Sequence, residues 1–80
     1  MNLKVINIKY SNSNLKKINL PDKASIKENK NQRLSISYNR NEIKTDQILD
    51  SLRSQGLAIM DLSTEEADLA DVFRLLTNNN

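Results

Sequence analysis

The stretch RLSISYNRNEIKTDQILDSLRSQGLAIMDLS, residues 33–63, carries the strongest signals of local structure in the chain. Leu34, Ile36 and Tyr38 alternate with polar residues, which is typical of a strand with one wet and one buried face. The segment LAIMDLS, residues 57–63, alternates in the same way and is predicted to be a second, more buried strand. A helix separates the two strands, and this order indicates the second half of a βαβ crossover.

The helix in this stretch has recognisable signals at both ends. Thr45 is an N-cap candidate, and Asp46 is favourably placed near the positive end of the helix dipole. Gly56 is a candidate for the C′ glycine that ends the helix. The apolar stripe that would face the core consists of Ile48, Leu49 and Leu52.

The residues before this stretch contain weaker signals. LKVINIKY, residues 3–10, is rich in β-branched residues and predicts a strand, and SNSN, residues 11–14, predicts a turn. ASIKEN around Ile26 predicts a short strand, with KNQ as a hairpin turn into residue 33. Between them Pro21 limits any helix to one or two turns, so helix, loop and strand all stay open for residues 15–26.

The chain ends in ADLADVFRLLTNNN, which has the spacing of an amphipathic helix. The helix can begin at Ser63, which has capping-box spacing to Glu66, or at Asp68. We expect its apolar stripe to be buried and to close a small core. The stripe consists of Leu69, Val72, Phe73 and Leu76.

These elements predict an α+β protein with a single domain over residues 1–80. The expected architecture is a small ferredoxin-like two-layer sandwich, βαββαβ with a degenerate first helix. Its mainly antiparallel sheet would have three to four strands, with one central helix and one C-terminal helix. An alternating strand implies that helices cover only one face of the sheet.

Composition excludes several classes of function. The 80 residues include no cysteine and no histidine, so thiolate zinc sites, imidazole bases and nucleophiles activated by histidine are absent. Gly56 is the only glycine, whereas phosphate-binding loops need at least two. The net charge is +2, and no apolar run approaches the roughly 20 residues of a membrane span. These features predict a soluble, cytoplasmic chain.

Acidic residues near the end of the chain invite a metal-site interpretation. Their spacing argues against it, because neighbouring carboxylates in a first helical turn are explained by capping and the dipole. We therefore predict no catalytic, cofactor-binding or metal-binding residues. The acidic residues in question are Asp61, Glu65, Glu66, Asp68 and Asp71.

The segment ILDSLRSQGLAIMDLSTEEADLADVFRLLT, residues 48–77, resembles the closing segment of the ATP-binding subunits of ABC transporters. The resemblance is to drug, daunorubicin and ABC-2 type exporters, in which a small accessory domain follows the nucleotide-binding domain. That domain usually ends in a helix with "L..L...G", a strand, and a helix close to "sLEDVFL.LT", where Ala70 replaces the common Glu. The matching residues are Leu49, Leu52, Gly56, Leu69, Asp71, Val72, Phe73, Leu76 and Thr77.

The resemblance implies a non-catalytic accessory or regulatory domain, excised from the C-terminus of a longer ABC ATPase. Its expected partners are the nucleotide-binding domain of the same polypeptide, a second copy in a homodimer and, indirectly, the membrane permease subunit. It would lie in the cytoplasm at the inner face of the membrane. ATP and Mg²⁺ are implied for the parent ATPase alone, since Walker A, Walker B and signature motifs do not occur in these residues.

Two alternatives stay open. The chain could be a free-standing ferredoxin-like interaction or ligand-sensing domain that dimerises through a sheet edge. It could also bind nucleic acid, although nucleic acid is not among the predicted partners and Tyr38 is expected at the edge of the core. The lysines of that last alternative are Lys4, Lys9, Lys16, Lys17, Lys23 and Lys27.

Overall fold

The computed structural model describes residues 3–11, 17–70 and 72–73. Within them the chain forms four strands and one helix. In chain order the elements are β1 (Leu3–Ser11), β2 (Ala24–Lys30), β3 (Arg33–Asn39), α1 (Thr45–Ser54) and β4 (Ala58–Glu66).

The strands form one antiparallel sheet in the order β2-β3-β1-β4. Both β3 and β4 run antiparallel to β1, so they are parallel to each other with β1 between them. The predicted crossover is therefore present in a split form, in which α1 passes over the strand that separates β3 from β4. This α+β architecture agrees with the predicted fold class at the level of one antiparallel sheet and a central helix.

The core lies between one face of the sheet and α1. Ile6 stands opposite Ile36 and Ile8 opposite Leu34, which places the apolar residues of the two central strands on the same face. The fully or almost fully buried side chains of this cluster come from β1, β3, α1 and the loops that flank α1. They are Ile6, Ile8, Leu34, Ile36, Tyr38, Ile43, Ile48, Leu49, Leu52 and Leu57.

The residue that caps the start of α1 is not the predicted one. Lys44 is the N-cap residue, and its backbone N–H donates to Oε1 of Gln47 at 2.8 Å. Thr45 is already inside the helix, and its Oγ1 lies 2.6 Å from the hydroxyl of the buried Tyr38. The prediction of Thr45 as N-cap was wrong because the threonine hydroxyl bonds to the core tyrosine, while Gln47 folds back on the helix start.

The end of α1 confirms Gly56 as the C′ glycine. Its φ is +98°, in the left-handed region that residues with a Cβ rarely adopt. The N–H of Gly56 donates to the carbonyl of Arg53 at 3.0 Å, and the N–H of Leu57 donates to the carbonyl of Leu52 at 3.2 Å. These two bonds form a Schellman motif, and the buried Leu52 and Leu57 supply its apolar contact.

The described residues between β1 and β2 contain no helix. Residues 17–21 form an irregular segment held at the end of α1 by Gln55, whose Oε1 accepts the N–H of Asn19 at 2.8 Å. The Nε2 of Gln55 donates to the carbonyl of Asn19 at 2.6 Å. Ile18 and Leu20 pack against the core cluster from this segment. The predicted turn over residues 11–14 lies mostly outside the described residues.

β4 is longer and more exposed than predicted. It continues through Glu66, so the alternative in which the final helix begins at Ser63 is wrong. It was also expected to be the more buried strand, but β1 takes the central position in the sheet and leaves β4 at the edge. An alternating pattern does not distinguish an edge strand from a central one, because both show one apolar face.

The other face of the sheet is only partly exposed to solvent. Val5 stands opposite Ser37, and both are fully buried, although they lie on the face opposite to that of Ile6 and Ile36. The Oγ of Ser37 has no hydrogen-bond partner among the described residues. At the other end of the same face lie the exposed residues Lys9, Arg33 and Lys30.

Replacing Gly56 with alanine is expected to reduce the free energy of unfolding by about 1–2 kcal/mol. A Cβ at this position would meet no atom within 4 Å, so the cost comes from the left-handed backbone alone. Gly56→Asn is the control and should cost less, because asparagine tolerates this conformation. Urea unfolding of both variants measures the difference, and an equal cost for the two would contradict this explanation.

Replacing Gln55 with alanine is expected to release the segment around Asn19. Both backbone groups of Asn19 lose their partner, so hydrogen exchange at the Asn19 amide should accelerate at least tenfold, and the protein should lose about 0.5–1.5 kcal/mol of stability. Asp50→Asn, on an exposed position of the same helix, serves as the control and should leave that amide unchanged. Unchanged exchange in the Gln55 variant would show that the segment is held by Ile18 and Leu20 alone.

Candidate interaction surface

The β4 strand presents an unusually exposed edge. It lies at the end of the sheet, and eight of its nine residues are exposed. Met60 is 62% exposed and Leu62 is 40% exposed. A bulge between Lys9 and Tyr10 in the pairing with β1 leaves Met60 without a partner residue. A long edge strand with exposed apolar side chains is a typical site for pairing with another chain.

The segment after β4 begins a helical turn. The N–H of Ala67 donates to the carbonyl of Leu3 at 3.2 Å, and that of Val72 donates to the carbonyl of Asp68 at 3.1 Å. Backbone at residues 69–70 and 72–73 is helical, which agrees with a start at Asp68. A full C-terminal helix stays a prediction, because its remaining residues lie outside the described ones.

The predicted burial of the final stripe is wrong for two of its four residues. Leu69 is 67% exposed and Phe73 is 59% exposed, while Val72 is half-buried. The physical reason is that α1, Ile18 and Leu20 already cover the apolar face of β1 and β3. The stripe is therefore not needed to close that core.

The other residues of the family-like pattern lie in different environments. Leu49 and Leu52 are buried in the core, and Gly56 ends α1. Asp71, Leu76 and Thr77 lie outside the described residues. The pattern therefore combines core positions with apolar positions that the described part of the chain leaves exposed.

The charges of β4 are all of one sign. The strand contains Asp61, Glu65 and Glu66, whereas it contains no lysine or arginine. Glu66 forms an ion pair with Lys4 at 3.4 Å. The Oδ1 of Asp61 accepts the N–H of Leu62 at 2.9 Å. A partner that adds a strand at this edge is therefore favoured if it carries basic residues.

The described residues contain no group of three or more acidic side chains close enough together to hold a metal ion. β4 is extended, so Glu65 and Glu66 point to opposite faces of the sheet, and Asp61 lies four residues away from Glu65 along the strand. Among the residues that the structure describes, no helix has the length and apolar character needed to cross a membrane.

Tyr38 was predicted at the edge of the core; it is only 1% exposed, so it lies fully within the core and no base can stack on it. Tyr10 is half-buried against the same core, and its hydroxyl donates to Oδ1 of Asn29 at 2.8 Å.

The open face of the sheet carries a different set of polar residues around Lys9. Sequence reasoning missed Arg33 and Lys30 as part of this set, because their proximity depends on strand pairing.

No protein-family model, curated protein or solved structure matched the chain.

Two alanine substitutions measure the burial of the family-like pattern. Leu52→Ala is expected to cost about 2–5 kcal/mol of unfolding free energy because it leaves a cavity under α1. Phe73→Ala is expected to cost less than about 1 kcal/mol because the ring is mostly exposed. Urea denaturation of the two variants tests both values. A loss of several kcal/mol in the Phe73 variant would show that the ring is buried in solution.

Proposed function

We propose that the chain is a non-catalytic accessory domain of an ABC transporter ATP-binding subunit, which packs against the nucleotide-binding domain of the same polypeptide. The observation that carries this proposal is the exposure of Leu69 and Phe73 in the segment that resembles the family. Apolar side chains at helical spacing that the domain does not bury itself are expected to be buried against a partner. In the family that this segment resembles, the nucleotide-binding domain belongs to the same polypeptide as the accessory domain, and it is therefore the candidate partner.

The fold supports the same assignment. The sheet order β2-β3-β1-β4 and the split crossover through α1 are compatible with a ferredoxin-like sandwich, and residues 17–21, the start of the described part between β1 and β2, are irregular. We propose this topology as a reduced ferredoxin-like domain, with the helical turn at Asp68 beginning its C-terminal helix. The domain would regulate or stabilise the ATPase from the cytoplasmic side, and ATP and Mg²⁺ would bind to the parent domain.

The exposed edge of β4 supports a second candidate function, a free-standing domain that dimerises through this edge. The edge is long and has no partner strand among the described residues. Pairing β4 with β4 of a second copy would bring acidic residues close to one another across the interface, since each strand has three carboxylates and no cation. This repulsion makes the covalently attached partner the stronger proposal.

Two measurements test the function. The reading frame upstream of residue 1 is expected to contain Walker A, Walker B and signature motifs, and a frame without them would contradict the proposal. Calorimetric titration of the chain with ATP and Mg²⁺ is expected to show no binding of micromolar affinity, because the phosphate-binding loop would belong to the parent domain. Micromolar affinity of the isolated chain for ATP would overturn the non-catalytic assignment.

A comparison between the chain and the full ATP-binding subunit tests the interface itself. Phe73→Ala should destabilise the full subunit by about 3–5 kcal/mol, as for a buried phenylalanine, but should have little effect on the chain alone. Ile26→Ala is the control, because Ile26 is also partly exposed but lies on the opposite edge strand. Equal effects of Phe73→Ala in both contexts would exclude this residue from the interface, whereas sedimentation of the chain as a dimer would favour the second candidate.

A further inference from the structure

Three cations stand side by side on the open face of the sheet. Lys30 of β2 is paired with Arg33 of β3, and Arg33 is paired with Lys9 of β1. Paired residues in antiparallel strands point to the same face, so the three side chains form a row across three neighbouring strands. With strands about 4.8 Å apart, the row spans roughly 10 Å, and the long side chains can converge on one group.

Arg33 has a like charge directly opposite it on each neighbouring strand. Like charges directly opposite each other on neighbouring strands destabilise a sheet. Among the described residues no ion pair neutralises Lys9, Arg33 or Lys30. Asp61 is the next residue in the row, opposite Lys9, but its Oδ1 accepts the backbone N–H of Leu62.

The row borders a depression of about 560 Å³ in the same face. This size lies within the range of about 300–1,000 Å³ found for small-molecule sites. Beside the cations, the next row of the depression consists of Ser35, Asn7 and Ser63, and the Oγ of Ser35 donates to Oδ1 of Asn7 at 2.7 Å. The carboxylates of Glu28 and Asp61 also line the depression, at its two sides.

We propose that this depression binds a small phosphorylated polyol, with its phosphate group on the row formed by Lys9, Arg33 and Lys30. Arg33 has the central position and can donate two parallel hydrogen bonds to phosphate oxygens. Ser35, Asn7 and Ser63 then face the hydroxyl-bearing part of the ligand. Glu28 and Asp61 can accept hydrogen bonds from ligand hydroxyls, and their negative charges disfavour a ligand with phosphates at both ends.

A single-stranded nucleic acid fits the same face less well. Its binding normally combines a basic groove with aromatic side chains on which bases stack. The described part of the open face carries no aromatic residue, because Tyr10 and Tyr38 pack against the core on the covered face. The proposed site does not include Leu69 or Phe73, so it does not depend on the proposed interface with a nucleotide-binding domain.

The test is a titration of the ¹⁵N-labelled chain with ribose 5-phosphate, in which binding is monitored through the amide chemical shifts in NMR spectra. Shifts are expected at the amides around Lys9, Arg33 and Ser35. Inorganic phosphate should bind at the same place at least tenfold more weakly, and ribose should not bind. Arg33→Gln should weaken the binding of ribose 5-phosphate at least tenfold, and Lys9→Gln is a second variant with the same expectation.

Lys44→Gln is the matched control, because it removes one exposed positive charge away from the depression. It should leave the affinity unchanged within about twofold, as expected for a screened distant charge. Arg33→Gln should in addition raise the urea midpoint of the ligand-free chain, since it removes repulsion within the row.

Three results would overturn the proposal. One is the absence of shifts in the depression at millimolar ribose 5-phosphate. Another is an equal loss of affinity in the Lys44 variant, which would indicate attraction to net charge alone. The third is tighter binding of a single-stranded oligonucleotide, with a steep salt dependence, which would assign the row to nucleic acid. None of these results bears on ATP binding or on the Phe73 comparison, so the proposed function is tested separately.

Discussion

The pairing of β1 with β3 is the contact on which the fold is built. Ile6 stands opposite Ile36 and Ile8 opposite Leu34, which forms an apolar patch that α1 covers. β1 also pairs with β4 on its other side, so the first of the described strands holds the last of them in place. The contact joins residues about thirty positions apart, so the sheet cannot form locally, and the core draws on residues from Ile6 to Leu57.

α1 has a second role beyond covering the sheet. Its C-terminal end, fixed by Gly56, carries Gln55, whose amide binds the backbone of Asn19 in the segment before β2. A single side chain thereby satisfies backbone groups that a helix in this crossover would satisfy by itself. By this route the described part of the chain covers one face of its sheet with α1 as its one complete helix.

The molecule has two surfaces with different chemistry, and they suit different partners. The edge of β4 and the turn after it expose apolar side chains such as Met60 and Phe73, as an interface with another protein domain does. The open face carries polar groups around the row of Lys9, Arg33 and Lys30, as a site for an anionic small molecule does. The two surfaces adjoin at β4, because Asp61, Leu62 and Ser63 of this strand also line the depression.

Local patterns were sufficient for the strands, for α1 and for the glycine at its end, because alternation, helical spacing and the left-handed φ of Gly56 act over a few neighbouring residues. They could not say that β4 is an edge strand or that Leu69 and Phe73 are exposed, since burial depends on which other elements already cover the core. The partner of the Thr45 hydroxyl and the row of cations are likewise products of long-range packing. A charge pattern along a chain becomes a surface feature only when strand pairing brings distant residues side by side.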